Sequence, residues 1–198
     1  ESKTGFVVCT AHFGNFELFG AYTARRGVPL TILTRRLHGR LNARWTGTRR
    51  EAGIREVHAG PNALIRVVRD GGVLALLIDQ NMLPKRAVFA PFFGRLAATT
   101  PAPAVIAERT GCPVVLAFML RKPDGSYRTV IDGPFTFERR GERQQDVLAF
   151  TAKMNALLEQ HIRAHPEQWF WLHRRWKTRP PDEQAAPSVR ARLPAGQP

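Results

Sequence analysis

The chain has 198 residues, 43% of them apolar, with 30 Lys and Arg against 16 Asp and Glu for a formal net charge of +14. That length suits one domain around one core and would crowd two. The charge asks for anionic partners and argues against cationic ones, and by itself it leaves nucleic acid, an anionic membrane surface and phosphorylated substrates all open.

Residues 6–11 form a continuous apolar run, as in a parallel strand buried on both faces, and the run ends directly on His12. Gly14 and Asn15 suit the turn that follows. Glu17 then falls in the first turn of an amphipathic helix over 14–26, where the amide dipoles favour a carboxylate, and Gly27 ends that helix. Residues 28–34 read as a second strand with Arg35 and Arg36 at its carboxyl end. A right-handed crossover would put them on the same sheet edge as His12. An Arg-rich helix over 41–52, carrying Arg49 and Arg50, is closed by Gly53; a short strand covers 54–58 and a helix 63–70. Residues 73–79 read as a buried strand whose polar residues, Asp79, Gln80 and Asn81, come only at its exit.

Residues 85–93 are basic and then apolar, followed by Gly94 and a small-residue run over 97–100 that leads into a helix at 101–110. Residues 113–120 are the most apolar strand, and Pro123-Asp124-Gly125 turns the chain into a return strand at 127–131. A long amphipathic helix spans 146–165 and stops at Pro166. Beyond it, Trp169, Trp171 and Trp176 alternate with Arg174, Arg175, Lys177 and Arg179, a pattern open to three readings: core patch, membrane-interface belt or base-stacking surface. Residues 181–198 have the composition of a disordered tail. The two cysteines, Cys9 and Cys112, lie in or beside apolar runs and read as buried thiols, with neither zinc spacing nor a disulfide framework.

The chemistry gathers at His12. A neutral imidazole takes a proton from a hydroxyl, and a carboxylate on its other nitrogen fixes the tautomer and stabilises the imidazolium. Glu17 is the nearest carboxylate in sequence, and the strand-to-helix turn lets the two side chains meet. The same spacing also suits a structural histidine beside a helix-capping glutamate.

The string Ala11-His12-Phe13-Gly14-Asn15-Phe16-Glu17 resembles the His-x4-Asp/Glu signature of the glycerolipid acyltransferase superfamily, in the form used by the lipid A biosynthesis (lauroyl/myristoyl) acyltransferases. Leu77-Ile78-Asp79-Gln80-Asn81 and the following Val88-Phe89-Ala90-Pro91-Phe92-Phe93-Gly94 resemble its central block, and residues 166–180 its carboxyl-terminal signature. Together these stretches cover residues 5–180 in the family's order. Some relatives carry Asp-His where this chain has Asp79-Gln80.

The resemblance implies a three-layer α/β fold with a mostly parallel central sheet flanked by helices, occupying residues 1–180. It implies transfer of a fatty acyl group from a thioester of acyl carrier protein or coenzyme A to a lipid A precursor or similar anionic glycolipid. His12 would be the general base and Glu17 its orienting partner. Asn15, Arg35, Arg49, Asp79, Gln80, Phe93 and Gly94 would line the substrates, with Arg35 on a phosphate. No metal and no cofactor beyond the acyl donor is implied. An amino-terminal membrane anchor is expected ahead of residue 1, because the chain opens on Glu and the first strand follows at once. The expected location is the cytoplasmic face of the bacterial inner membrane, with an anionic membrane surface as a further partner and no nucleic acid. The rival readings are a phosphatidylinositol mannoside or lysophospholipid acyltransferase, a basic nucleic-acid-binding domain and a noncatalytic membrane-surface module.

Overall fold

Strands and helices alternate along most of the chain, and the central strands are apolar enough to be covered on both faces. In the computed structural model, which describes residues 5–34, 40–58 and 60–184, they run β1 (Phe6–Thr10), α1 (Phe16–Arg25), β2 (Leu30–Leu33), α2 (Arg40–Glu51), β3 (Arg55–Val57), α3 (Pro61–Arg69) and β4 (Val73–Leu77). There follow β5 (Val88–Phe92), β6 (Arg95–Thr99), α4 (Ala102–Thr110), β7 (Val114–Arg121), β8 (Tyr127–Phe135), α5 (Arg143–Ala164) and the one-turn α6 (Pro181–Gln184).

One six-stranded sheet has the order β3-β2-β4-β1-β7-β8, parallel throughout except for β8, which returns antiparallel to β7. The core lies on both faces. Val7 and Cys9 of the central strand, with Ala11 just beyond it, pack with Leu64, Ile106, Phe150 and Met154 under α3, α4 and α5. Val8 packs on the other face with Phe19, Leu30 and Ile54 under α1 and α2. This is the expected three-layer α/β architecture. The helix over 146–165 begins three residues earlier, at Arg143, and runs for 22 residues. Both cysteines are buried, and burial pushes both thiols up, which keeps them protonated.

Residues 85–100 fold differently from the basic-then-apolar stretch read in the sequence. They make a separate antiparallel hairpin, β5 against β6, that closes at Phe93-Gly94 and packs on α5. No helix among the described residues is long and apolar enough to cross a membrane. The expected tail opens with α6, and the rest of it lies outside the described residues.

Candidate active site

The parallel register of β1 and β4 builds the site. Thr10 pairs with Leu77, and Ile78 N–H donates to the Thr10 carbonyl at 3.0 Å, so the two strands leave the sheet level with each other. Two residues beyond each end stand His12 and Asp79. The Asp79 carboxylate accepts from the His12 backbone N–H at 2.9 Å through Oδ2, and its Oδ1 lies 3.0 Å from the ring Nδ1. The Trp169 indole Nε1–H donates to Oδ2 at 3.1 Å. Asp79 is only 3% exposed, and these three donors meet the requirement of a buried carboxylate for partners. A carboxylate on Nδ1 places the ring proton there and leaves the Nε2 lone pair for the outside. Nε2 faces the Gln80 amide at 3.3 Å.

Backbone contacts hold His12 from both sides. Its carbonyl accepts from Phe170 N–H at 3.0 Å, and Phe13 bridges to Trp169. Gly14 has φ +61°, and a Cβ there would lie 2.2 Å from the Met119 carbonyl oxygen, so only glycine lets the turn pass β7 this closely. Asn15 N–H donates to that same carbonyl at 2.8 Å, while the Asn15 side chain caps α1 by accepting from Leu18 N–H at 2.9 Å. The rings of Phe16 and Phe170 flank the imidazole, 4.9 and 6.2 Å from it.

Glu17 lies in the first turn of α1, as expected, but its carboxylate faces Arg49. The guanidinium reaches it through Nε at 3.1 Å and also through Nη2, and turns Nη1 to Glu56 at 2.9 Å. The His12 ring bonds Asp79 and Gln80 and makes no hydrogen bond to Glu17. Arg49, with two carboxylates on one guanidinium, ties α1 and α2 to β3, and its hydrogen bond to the Glu17 carboxylate leads the causes that push its pKa up. Arg35 lies outside the described residues. Phe93 takes φ +50° at the hairpin tip beside Gly94. Its N–H donates to Glu159 at 2.5 Å and its ring stacks on Trp169, one side chain away from Asp79.

Three residues of the site were not singled out from the sequence as parts of it: Trp169, His173 and Arg175. Asn81 N–H donates to His173 Nε2 at 2.7 Å, and burial pushes the His173 pKa down, against the pull of Asp79 and with a smaller push from Arg175 and His12. A neutral ring is what an accepting Nε2 requires. Arg175 is 1% exposed and donates to the Ala98 carbonyl (2.8 Å) and Thr99 Oγ1 (2.6 Å), while burial pushes its pKa down to about 10. Beyond the Gly14–Asn15 turn opens a cleft of about 930 Å³ lined partly by Arg121, Lys122 and Arg128.

A mostly parallel sheet covered by helices on both faces, with a carboxylate-held histidine at the carboxyl edge of its central strands, is consistent with the α/β acyltransferase fold. A family model described as bacterial lipid A biosynthesis acyltransferase matches residues 1–178, and the chain belongs to that family. The lipid A biosynthesis palmitoleoyltransferase of Escherichia coli (strain K12) is 33% identical over 186 residues, which cover 91% of this chain and 58% of the relative. The lipid A biosynthesis acyltransferase of Shigella flexneri matches with the same values, and the E. coli lipid A biosynthesis lauroyltransferase is 34% identical over 119 residues, 59% of this chain and 38% of its own. The chain thus spans 58% of the length of the first two.

Proposed function

We propose that this domain moves a fatty acyl chain from an acyl carrier protein or coenzyme A thioester to a hydroxyl or hydroxyacyl group of a lipid A precursor or similar anionic glycolipid, at the cytoplasmic face of the bacterial inner membrane. The observation that carries this reading is the His12 ring, bound through Nδ1 to buried Asp79 with Nε2 turned outward. Nε2 accepts the proton of the acceptor hydroxyl as its oxygen attacks the thioester carbonyl carbon. Asp79 stabilises the imidazolium. The tetrahedral intermediate collapses, the carbon–sulfur bond breaks, and the departing thiolate takes the proton from Nε2, so His12 ends neutral without a covalent acyl-enzyme.

The amides of Gly14, Asn15 and Phe93 already have acceptors, the Gln168 and Met119 carbonyls and the Glu159 carboxylate. The Gln80 amide is the donor at hand for the developing oxyanion once the hydroxyl displaces it from Nε2. The cleft with Arg121, Lys122 and Arg128 suits the phosphates of the donor or an acidic carrier surface. Support for the acceptor class comes from the names of the relatives.

The test is acyl transfer from labelled acyl-carrier-protein and coenzyme A thioesters to a panel of lipid A precursor, lysophospholipid and phosphatidylinositol mannoside. The lipid A precursor is expected to be labelled fastest, and His12→Ala to lower that rate by roughly a hundredfold or more. Equal turnover in the two proteins would overturn the mechanism, and a faster lysophospholipid reaction would overturn the acceptor.

A further inference from the structure

The carboxyl-terminal segment sorts its aromatic residues onto two sides. Trp169 is buried on Asp79, and Trp176 stacks on Phe92 at 5.8 Å. Between them Phe170, Trp171 and Leu172 turn outward and are 47%, 53% and 85% exposed. The backbone of that turn adjoins the base, because Phe170 N–H donates to the His12 carbonyl. A second loop presents Leu83, 69% exposed, and the two loops are tied together by Asn81, which donates to His173 and exchanges side-chain bonds of 3.0 and 2.9 Å with Thr178. The Trp171 Nε1–H donates to the Pro166 carbonyl at 2.7 Å, so its polar edge is satisfied and carbon faces outward.

Three consecutive exposed apolar side chains on a structured turn, with a fourth on the loop bonded to it, are unusual on a surface that stays in water. The charges beside them in sequence are mainly cationic, with the exposed Glu167, three residues before Phe170, the nearest acid. Lys85 and Arg86 follow Leu83, Arg174 and Lys177 follow Leu172, all four are exposed, and neither 80–107 nor 168–181 contains a single Asp or Glu. Apolar tips flanked by cations suit a surface that is anionic outside and apolar beneath.

We propose that the Phe170–Trp171–Leu172 turn and Leu83 form a wedge that inserts into an anionic lipid bilayer, bringing the rim of the His12 site down onto the plane in which the acceptor lies. The wedge rests on the proposed function only in having a lipid acceptor; membrane seating is measured without turnover, so each can fail alone. The surface acts locally and does not substitute for a membrane span.

The experiment is co-sedimentation with vesicles of phosphatidylglycerol and phosphatidylethanolamine, and with phosphatidylcholine vesicles, for wild type and for Leu83→Asp/Leu172→Asp. Wild type is expected to bind the anionic vesicles and the double variant to bind them about tenfold or more weakly. Its turnover of a water-soluble, short-chain acceptor analogue should be unchanged. In a Trp45→Phe background, where Trp171 is the one exposed tryptophan left beside the covered Trp169 and Trp176, lipids brominated near the headgroup end of their chains should quench the fluorescence, and a further Trp171→Phe change should abolish the quenching. Unchanged binding in the double variant, absence of quenching, full displacement of the protein from vesicles by oligonucleotide at equal phosphate, or a wild-type dimer that the variant dissolves would each overturn the proposal.

Discussion

Asp79 and Glu17 both follow a strand of the same sheet edge, yet they sit in opposite electrostatic settings. Asp79 is buried and meets three neutral donors: a backbone amide, an imidazole and an indole. Glu17 has a side chain 35% exposed and meets a full cation, Arg49, which also serves Glu56. A carboxylate held by neutral donors keeps its charge available to a neighbour that becomes positive, whereas one matched by a guanidinium is already neutralised. On the proposed mechanism, the difference separates a region that answers a proton arriving on His12 from one whose ion pairs link α1, α2 and β3.

The sharpest way to break that division is Asp79→Asn. An amide in place of the carboxylate can present its NH2 to Nδ1, which puts the ring proton on Nε2 and removes the imidazolium's counter-charge. The expected loss in kcat is roughly a hundred- to ten-thousandfold, with little change in KM. A turnover within about threefold of wild type, in a protein melting as wild type does, would remove Asp79 from the mechanism.

Glu17→Gln probes the other side. Its ion pair with Arg49 is partly exposed, so its loss is expected to cost about 1 kcal/mol of stability and, through a loosened α1, roughly tenfold in turnover. The loss should be non-additive with Arg49→Met and additive with Asp79→Asn, read from melting and from kcat of the double variants. Coupling to Asp79→Asn instead would mean that Glu17 acts on His12 during the reaction, as its place in the His-x4-Glu string implies.

Local pattern made the strands legible, and with them the position of His12 at the end of a buried one. It did not make the strand order legible. Asp79 is 67 residues from His12, and alternating strands and helices are compatible with several orders, so the carboxylate five residues away was the natural partner to choose. Only the pairing of β1 with β4 puts Asp79 level with the histidine. The hairpin of β5 and β6 was hidden by its own chemistry: Pro91 interrupts the strand pattern, and the tip carries Phe93 at φ +50° instead of the Asn or Asp usual there. The tryptophans kept three readings open because an irregular segment has no period to assign faces. The structure divides them, Trp169 inside and Trp171 outside.

The smallest effect is expected at Arg175, which bears on the Asp79 side alone. It is a buried cation with no carboxylate bonded to it among the described residues, and its Nε is unpartnered. Its charge is attracted to Asp79, but burial outweighs that attraction and pushes its pKa down to about 10. The sign follows from protons bound. Between about pH 10 and the ordinary arginine value the unfolded chain holds the proton and the fold does not, so stability rises with pH across that window and the penalty is fully present below it. Replacing the side chain by methionine removes the buried charge and leaves the Ala98 carbonyl its bond from Met82 N–H at 3.1 Å. Arg175→Met is therefore expected to melt within about 1 kcal/mol of wild type at neutral pH, as buried charges replaced by apolar groups of similar size often do. If it instead lost about 3 kcal/mol or more, the guanidinium's bonds to Ala98 and Thr99 would outweigh its desolvation. The hairpin would then owe part of its stability to that buried cation despite the cost of desolvating it.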